Sequence, residues 1–385
     1  MKKLLIILML LTFFPYNVLA QEIANEQNVS IVNVEMEAEQ APIVEQEVFQ
    51  AQVLEVMDQR DLTRSDGSVV IQQNLKLKGL DGNWAGKEFE YFGISELDVV
   101  GGNVYKKDDK VLALYSPDTD GNDIFFITDY VRQGYLVWLV AFFVLLIVFV
   151  ASWKGIKALL SLVLTFFVIL WFIIPRILIG DSPLLITIIG SVFIIFIIVY
   201  LTEGWNRKSH LAVASIVISL LLTGLLAIFF TNMARLTGSS DEEAMFLIGL
   251  GKGIINFRGL LLAGIMIGTL GALDDGVISQ IAAVDEIKKA NSSLSNYEVF
   301  KRSMKIGVSH IGSMTNTLFL AYAGASMPLL LIFSVRQDPF VSFSQIINNE
   351  MIATEIVRAF VGSIGLAMAV PIATILAAYF IKVKK

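Results

Sequence analysis

GLLLAGIMIGTLGALDDGVISQIAAV, Gly259 to Val284, pulls in two directions. As a run of apolar and small residues it makes about 39 Å of helix at 1.5 Å per residue, enough to cross roughly 30 Å of hydrocarbon. Yet Asp274 and Asp275 lie inside it. A carboxylate near a membrane centre costs about 2.5–3.5 kcal/mol even on the lenient insertion scale. The composition around the run supports the membrane reading. The chain has 385 residues, 55% hydrophobic and 17% charged, with a mean hydropathy of +0.69, more apolar surface than a soluble domain of this size needs. The absence of cysteine excludes disulfides, thiolate metal sites and cysteine nucleophiles. His210 and His310 are too few for a histidine-rich metal centre.

Residues 1–20 have the layout of a secretory signal: Lys2 and Lys3, an apolar stretch from Leu4 to Phe14, and Val18-Leu19-Ala20 as the cleavage site, with an uncleaved anchor as the alternative. Residues 21–47 carry glutamates at 22, 26, 35, 37, 39, 45 and 47 and neither basic nor aromatic residues, the composition of a disordered acidic tether. From 48 to 132 polar and apolar residues alternate in FQAQVLEV, SVVIQQNLKLKGL, KEFEYFGI, KVLALYS and DIFFITDYV. Turn residues such as Asp81-Gly82-Asn83 and Gly101-Gly102-Asn103 separate them. Five short strands predict a small exported β-barrel of OB type.

Residues 134–385 form the membrane domain. Seven spans are expected, near 134–152, 156–174, 184–201, 211–230, 259–284, 311–333 and 356–381. With the β domain outside, the predicted inner segments hold Lys154, Lys157, Arg207, Lys208, Lys288, Lys289, Lys301, Arg302, Lys305, Lys382, Lys384 and Lys385, against Arg176, Arg235, Lys252, Arg258 and Arg336 outside. That bias fits seven spans with the C-terminus in the cytoplasm. Ala244 to Phe257 is apolar but too short to cross, and follows a capping-box spacing at Ser240 to Glu243. It is expected to be a re-entrant or interfacial helix.

The spans differ in texture. The first four are dense in Ile, Leu, Phe and Val, as lipid-facing helices are, while the last three are rich in small and polar residues. Gly264, Gly268, Gly271, Asp275 and Ser279 share one helical face, and Ser309, Gly312, Ser313 and Asn316 form a stripe with Thr315 and Thr317 beside it. Pro371 interrupts the last span near its middle. These patterns place the functional core in spans five to seven. Its expected ion or proton pathway is Asp274, Asp275, Ser279, Gln280, Thr315, Asn316 and Thr317, with Asp275 foremost because it lies on the glycine face. Glu355 and Arg358, spaced i, i+3, are expected to pair at the outer start of span seven.

GTLGALDDGVISQ, SHIGSMTNTLFLAYAGASMPLLL and EIVRAFVGSIGLAMAVPIAT together resemble the YibE/F-like family of bacterial multi-pass membrane proteins. The resemblance extends over the β domain to DYVR and includes Asp274, Asp275, Ser279, Gln280, Asn316, Glu355 and Arg358. It implies a permease-like protein of the bacterial cell membrane with no substrate attached.

Read from the residues, a permease for a small cation- or proton-linked solute leads, since intramembrane carboxylates mark ion and proton pathways. The alternative is a non-transporting accessory or scaffold protein whose β domain binds an envelope partner. An enzyme is not expected and no catalytic residue is assigned. A membrane aspartyl dyad needs carboxylates from facing helices, whereas these two are adjacent on one, and Ser309, Ser313 and His310 share a helix with poor spacing. Gly249-x-Gly251-x-Gly253 lacks the G-K-[ST] ending of a phosphate loop. The expected partners are the lipid bilayer and a second copy of the chain. No cofactor or nucleic acid is expected, and the metal is left open.

Overall fold

The structure is a computed structural model that describes residues 46–63, 67–95, 103–117, 122–240, 242–249, 255–335 and 342–381. The signal segment and almost all of the acidic tether lie outside these residues. Two compact units divide near Leu136.

The first unit holds all five expected strands: β1 (Glu47–Thr63), β2 (Val69–Gly79), β3 (Glu88–Phe92), β4 (Lys110–Pro117) and β5 (Asp123–Tyr130). They form one antiparallel sheet in the order β3-β2-β1-β4-β5. Strand β1 pairs with both β2 and β4, and its pairing with β2 slips at Val53/Glu55 and Val56/Asp58. Such bulges bend a strand and raise its local twist. The alternate residues Phe49, Ala51 and Val53 are buried against Leu75, Leu77, Phe89, Val111 and Ala113, the one-face burial that the alternating pattern predicts.

The second unit is helical: α1 (Gln133–Val168), α2 (Ile174–Leu178), α3 (Pro183–Glu203), α4 (Arg207–Met233), α5 (Glu242–Gly249), α6 (Phe257–Ala290), α7 (Asn296–Ala325), α8 (Met327–Ser334), α9 (Phe343–Asn348) and α10 (Glu350–Phe380). Five are long and apolar enough to cross a membrane, with α1 and α2 counted as one, and the bent pair α7 and α8 raises this to six. Between α1 and α2, Ile169–Ile173 is π-helical and the Ile174 amide donates to the Ile169 carbonyl. Pro175 follows at once and cannot donate in the α-helical pattern, so the wider turn absorbs it.

Two breaks shape this unit. Ser152 inside α1 has φ 49 and ψ −131, a left-handed φ that helical residues avoid. Beyond it the backbone returns so closely that a Cβ on Gly155 would meet the Ile147 carbonyl oxygen at 2.5 Å. In a straight helix those residues would stand about 12 Å apart along the axis. The second break separates α7 from α8, bent by 69°. The sixth span was expected over 311–333, and the helix there is not straight. It bends because Pro328, in the first turn of α8, removes a backbone donor and crowds the preceding turn.

The packing corrects the expected division of the spans. Helix α4 belongs to the core: Ser215, Ser219, Thr223 and Ala227 are buried along one stripe, and each of the three hydroxyls donates to the carbonyl four residues back. Helix α10 lies directly on that stripe and on α6. A Cβ on Gly365 would stand 2.0 Å from Thr223 Oγ1, and one on Gly362 2.9 Å from Thr269 Oγ1. Around these close approaches sit Ile216, Leu220, Met266, Leu273, Val277 and Leu366. The glycine face of α6 was expected to pack inside the bundle, but Gly264, Gly268, Gly271 and Asp275 are exposed. The opposite face, with Ile265, Met266, Leu273 and Val277, is buried instead, because larger side chains offer more contact area than glycine.

The close approach at Gly365 yields a paired prediction. Gly365→Val drives a branched side chain into Thr223 and lowers stability by about 1–3 kcal/mol. Gly312→Ala enters open space on α7 and is neutral or stabilising by up to about 1 kcal/mol, the helix preference of alanine. Thermal unfolding of both purified variants in one detergent checks the contrast.

Candidate functional site

Helix α6 runs parallel to α3, with Gly259 against Pro183 at one end and Ile278, Ile281 and Ala282 beside Glu203 at the other. It runs antiparallel to α7, with Gly268 against Tyr322 and Gly276 against Met314. That register puts Asp274 level with Asn316 and Asp275 level with Thr315.

The level is shared, but no hydrogen bond joins these side chains. Successive residues point ~100° apart on a helix, and the two aspartates divide accordingly. Asp275 is exposed in line with Gly264 and Gly271. Asp274 turns toward α3 and is half-buried, and its Oδ1 is fully buried without a hydrogen-bond partner. The emphasis on Asp275 therefore shifts to Asp274. The glycine face persuaded in the sequence because small residues suit tight packing, but only Gly268 meets a neighbour, Tyr322 of α7, while Gly264 and Gly271 border open space.

The other expected residues scatter. Ser279 is half-buried. Gln280 is completely buried where α6, α7 and α10 meet, and its Nε2 donates to the Ser303 carbonyl (3.0 Å) and Thr374 Oγ1 (2.8 Å). Gly307 permits this, since a Cβ there would crowd the Gln280 amide at 3.1 Å. Thr317 Oγ1 donates to the Ser313 carbonyl at 3.0 Å, Thr315 Oγ1 is buried without a partner, and Asn316 is exposed. Glu355 and Arg358 do pair, at 2.6 Å, with both side chains largely covered.

Several polar groups escaped the sequence reading. At the Glu203 end of the bundle, Asp285 accepts from Lys208 (3.1 Å) and Lys289 (2.7 Å) with only 8% of its side chain exposed. Lys288 donates to the Ile381 carbonyl at 2.8 Å. These lysines looked like orientation signals alone, yet they also tie α4, α6 and the end of α10 together. At the other end, Glu350 Oε1 accepts from the Thr237 amide and hydroxyl and the Gly238 amide, and Arg258 bonds Asn232. Only the Asp285-x-x-x-Lys289 spacing was a usable signal. The Lys208 and Glu350 contacts join residues far apart in the chain.

A pocket of about 90 Å³ opens at the Asp285 end, lined by Glu203, Asn206, Lys208, Ser209, Ala212, Ile278, Ile281 and Ala282. Asp274, Ile278, Ile281 and Asp285 follow at i, i+4, i+7 and i+11 on one side of α6, so Asp274 stands about one turn beyond the pocket wall. Among the described residues no three His, Asp or Glu side chains gather to hold a metal ion.

The buried amide gives a second prediction. Gln280→Met keeps the volume and removes an orphaned acceptor with the two donated bonds, and stays within about 1 kcal/mol of wild type. Gln280→Glu sets a carboxylate against the Ser303 carbonyl and a hydroxyl already donating to Val370, and loses on the order of 3 kcal/mol. Thermal unfolding of both variants separates the outcomes.

No curated protein and no solved structure matches the chain. A family model described as YibE/F-like protein matches residues 139–383, which is the helical unit without the β domain. By that match the chain belongs to the YibE/F-like family.

Proposed function

We propose that this protein is a permease for a small solute, coupled to a proton or a small cation that Asp274 binds. The observation that carries the reading is a carboxyl oxygen buried without a partner in the middle of a membrane helix. Removing a carboxylate from water without donors is costly, and a proton or cation at Asp274 relieves that cost. Solute coupling then has a physical basis, because occupancy changes the charge buried between α6 and α3. The two aspartates lie on different sides of one helix, and among the described residues no carboxylate from another helix pairs with them, which favours an ion or proton site over a catalytic dyad.

The proposed topology has seven spans. The reversal at Ser152 divides α1 into an entering and a returning span, and α7 with α8 forms one bent span. The short α5 is the re-entrant or interfacial segment. The excess of basic residues at the Asp285 end assigns that end to the cytoplasm of a bacterial cell. The β domain then lies outside, as an OB-type barrel. Its support is the strand order, the bulged β1 shared by two neighbours, and the approach of β3 to β5 through Phe89 and Phe125, whose ring centroids are 4.3 Å apart.

A second copy of the chain is the proposed cover for the glycine face. Lipid cannot satisfy Asp275 or Asn316, whereas a helix from another copy can approach Gly264 and Gly271 closely. Single cysteines at these glycines should cross-link under oxidation in native membranes. A cysteine at Ile218, exposed on α4, should not, and equal cross-linking at all three positions would sink the dimer.

Thermal unfolding in detergent against Na⁺, K⁺, Mg²⁺, Mn²⁺, Ca²⁺ and pH tests the permease reading. An ion held by the folded state at 100 times its Kd adds about 2.7 kcal/mol. Asp274→Asn is expected to abolish the response and Asp275→Asn to keep it. A wild type indifferent to every ion and to pH would remove the reading.

A further inference from the structure

We infer that Asp274 exchanges its proton or cation with the cytoplasmic water through the pocket at Glu203, with Glu203 as the entry carboxylate. This rests on the reading of Asp274 given above and adds the route and the side of access.

Every other polar group of the pocket is committed. Lys208 is held by Asp285 at 3.1 Å. Asn206 accepts from the Ser209 amide and donates to the carbonyls of Glu203 and Gly204. Ser209 Oγ donates to the Gly204 carbonyl at 2.6 Å. The Glu203 carboxylate alone has no partner among the described residues and is exposed at the mouth. A pocket whose free charge is one carboxylate raises the local concentration of cations and excludes anions. Its size suffices for several waters, since one needs roughly 10–15 Å³ by the same measure.

The wall leads inward to Asp274. Ile278, which lines the pocket with Glu203, lies one helical turn, about 5.4 Å, from Asp274 toward the mouth. Thr202, beside Glu203, spends its hydroxyl on the Ile198 carbonyl, so no hydroxyl on that stretch of α3 competes for what Asp274 carries. The Asp285–Lys208–Lys289 cluster keeps both lysines from Asp274, which would otherwise gain a permanent counter-ion and lose its capacity to exchange. On the other side of α6, Asp275 is exposed in line with Gly264 and Gly271.

The natural chain has no cysteine, so single-cysteine variants read against a silent background. Asp274→Cys, Ile278→Cys, Ala282→Cys and Asp275→Cys would be exposed to a cationic, membrane-impermeant methanethiosulfonate in right-side-out and inside-out vesicles. The expected result is modification of the first three from the cytoplasmic face only, fastest at Ala282→Cys, with Asp275→Cys untouched. Adding Glu203→Gln should lower the rate of the cationic reagent relative to that of an uncharged thiol reagent at Asp274→Cys and Ile278→Cys by roughly 2- to 6-fold, the size of one screened charge at several ångströms, a ratio that cancels any change in thiol ionisation. Ile278→Cys keeps the test valid if Asp274→Cys folds poorly, and thermal unfolding reports on folding.

Modification from the outer face, reaction at Ala282→Cys without reaction at Ile278→Cys or Asp274→Cys, or indifference to Glu203→Gln would each overturn the route. An ion response in wild type with unreactive Ile278→Cys and Asp274→Cys removes the route and keeps the role of Asp274. Reactive variants with an ion-blind wild type do the reverse.

Discussion

The distance of closest approach between α10 and its neighbours governs the membrane unit. Gly362 and Gly365 let its backbone lie against Thr269 of α6 and Thr223 of α4 with no room for a methyl group. In a bilayer, where lipid is as apolar as leucine, helices associate through dispersion contacts and interhelical polar groups rather than by escaping water. Close approach is therefore the main source of attraction, and the small residues create it. The hydroxyls that would be orphaned at such contacts bond to their own helices, as Ser215, Ser219, Thr223, Thr269 and Thr374 do.

Once α4, α6 and α10 are fixed, the remaining polar groups fall into place by elimination. Gln280 reaches the Ser303 carbonyl only because Gly307 brings α7 close. Asp285 collects two lysines at the bundle's end, where long side chains remain partly in water. Asp274 stands apart. Like the Gln280 acceptor and the Thr315 hydroxyl it has a buried atom left unanswered, but here the atom belongs to a carboxyl group on the side of α6 that lines the pocket. Native structures leave few buried polar atoms unpaired, and an unpaired carboxyl in a helix pair that opens to a water-sized pocket marks a place where occupancy changes.

Much of the fold was legible in the sequence because its signals are local. Alternation gives strands, uninterrupted apolar runs give spans, and turn residues separate them. All five strands of the β unit appear where the alternation placed them, and the apolar runs correspond to the helices α1, α3, α4, α6, α7 and α10. The bend at Pro328 could have been read from the proline but was hidden by the evenly apolar run around it. The role of α4 was missed because Ser215, Ser219 and Thr223 were outweighed by the bulky residues between them.

The sequence by itself determined that this chain is a membrane protein of the YibE/F-like family, with a β unit before the helices and carboxylates inside one of them. Those properties follow from composition, period and motif, which are set along the chain. Only the tertiary structure decided that Asp274 rather than Asp275 faces the α3 boundary, that the glycine face of α6 is left open, and that Glu203, distant in sequence, shares a pocket with Ile278 and Ala282. The reason is rotational. A helix presents every side chain at some angle, and which angle meets a neighbour depends on the helix that approaches most closely, here α10 through Gly362 and Gly365.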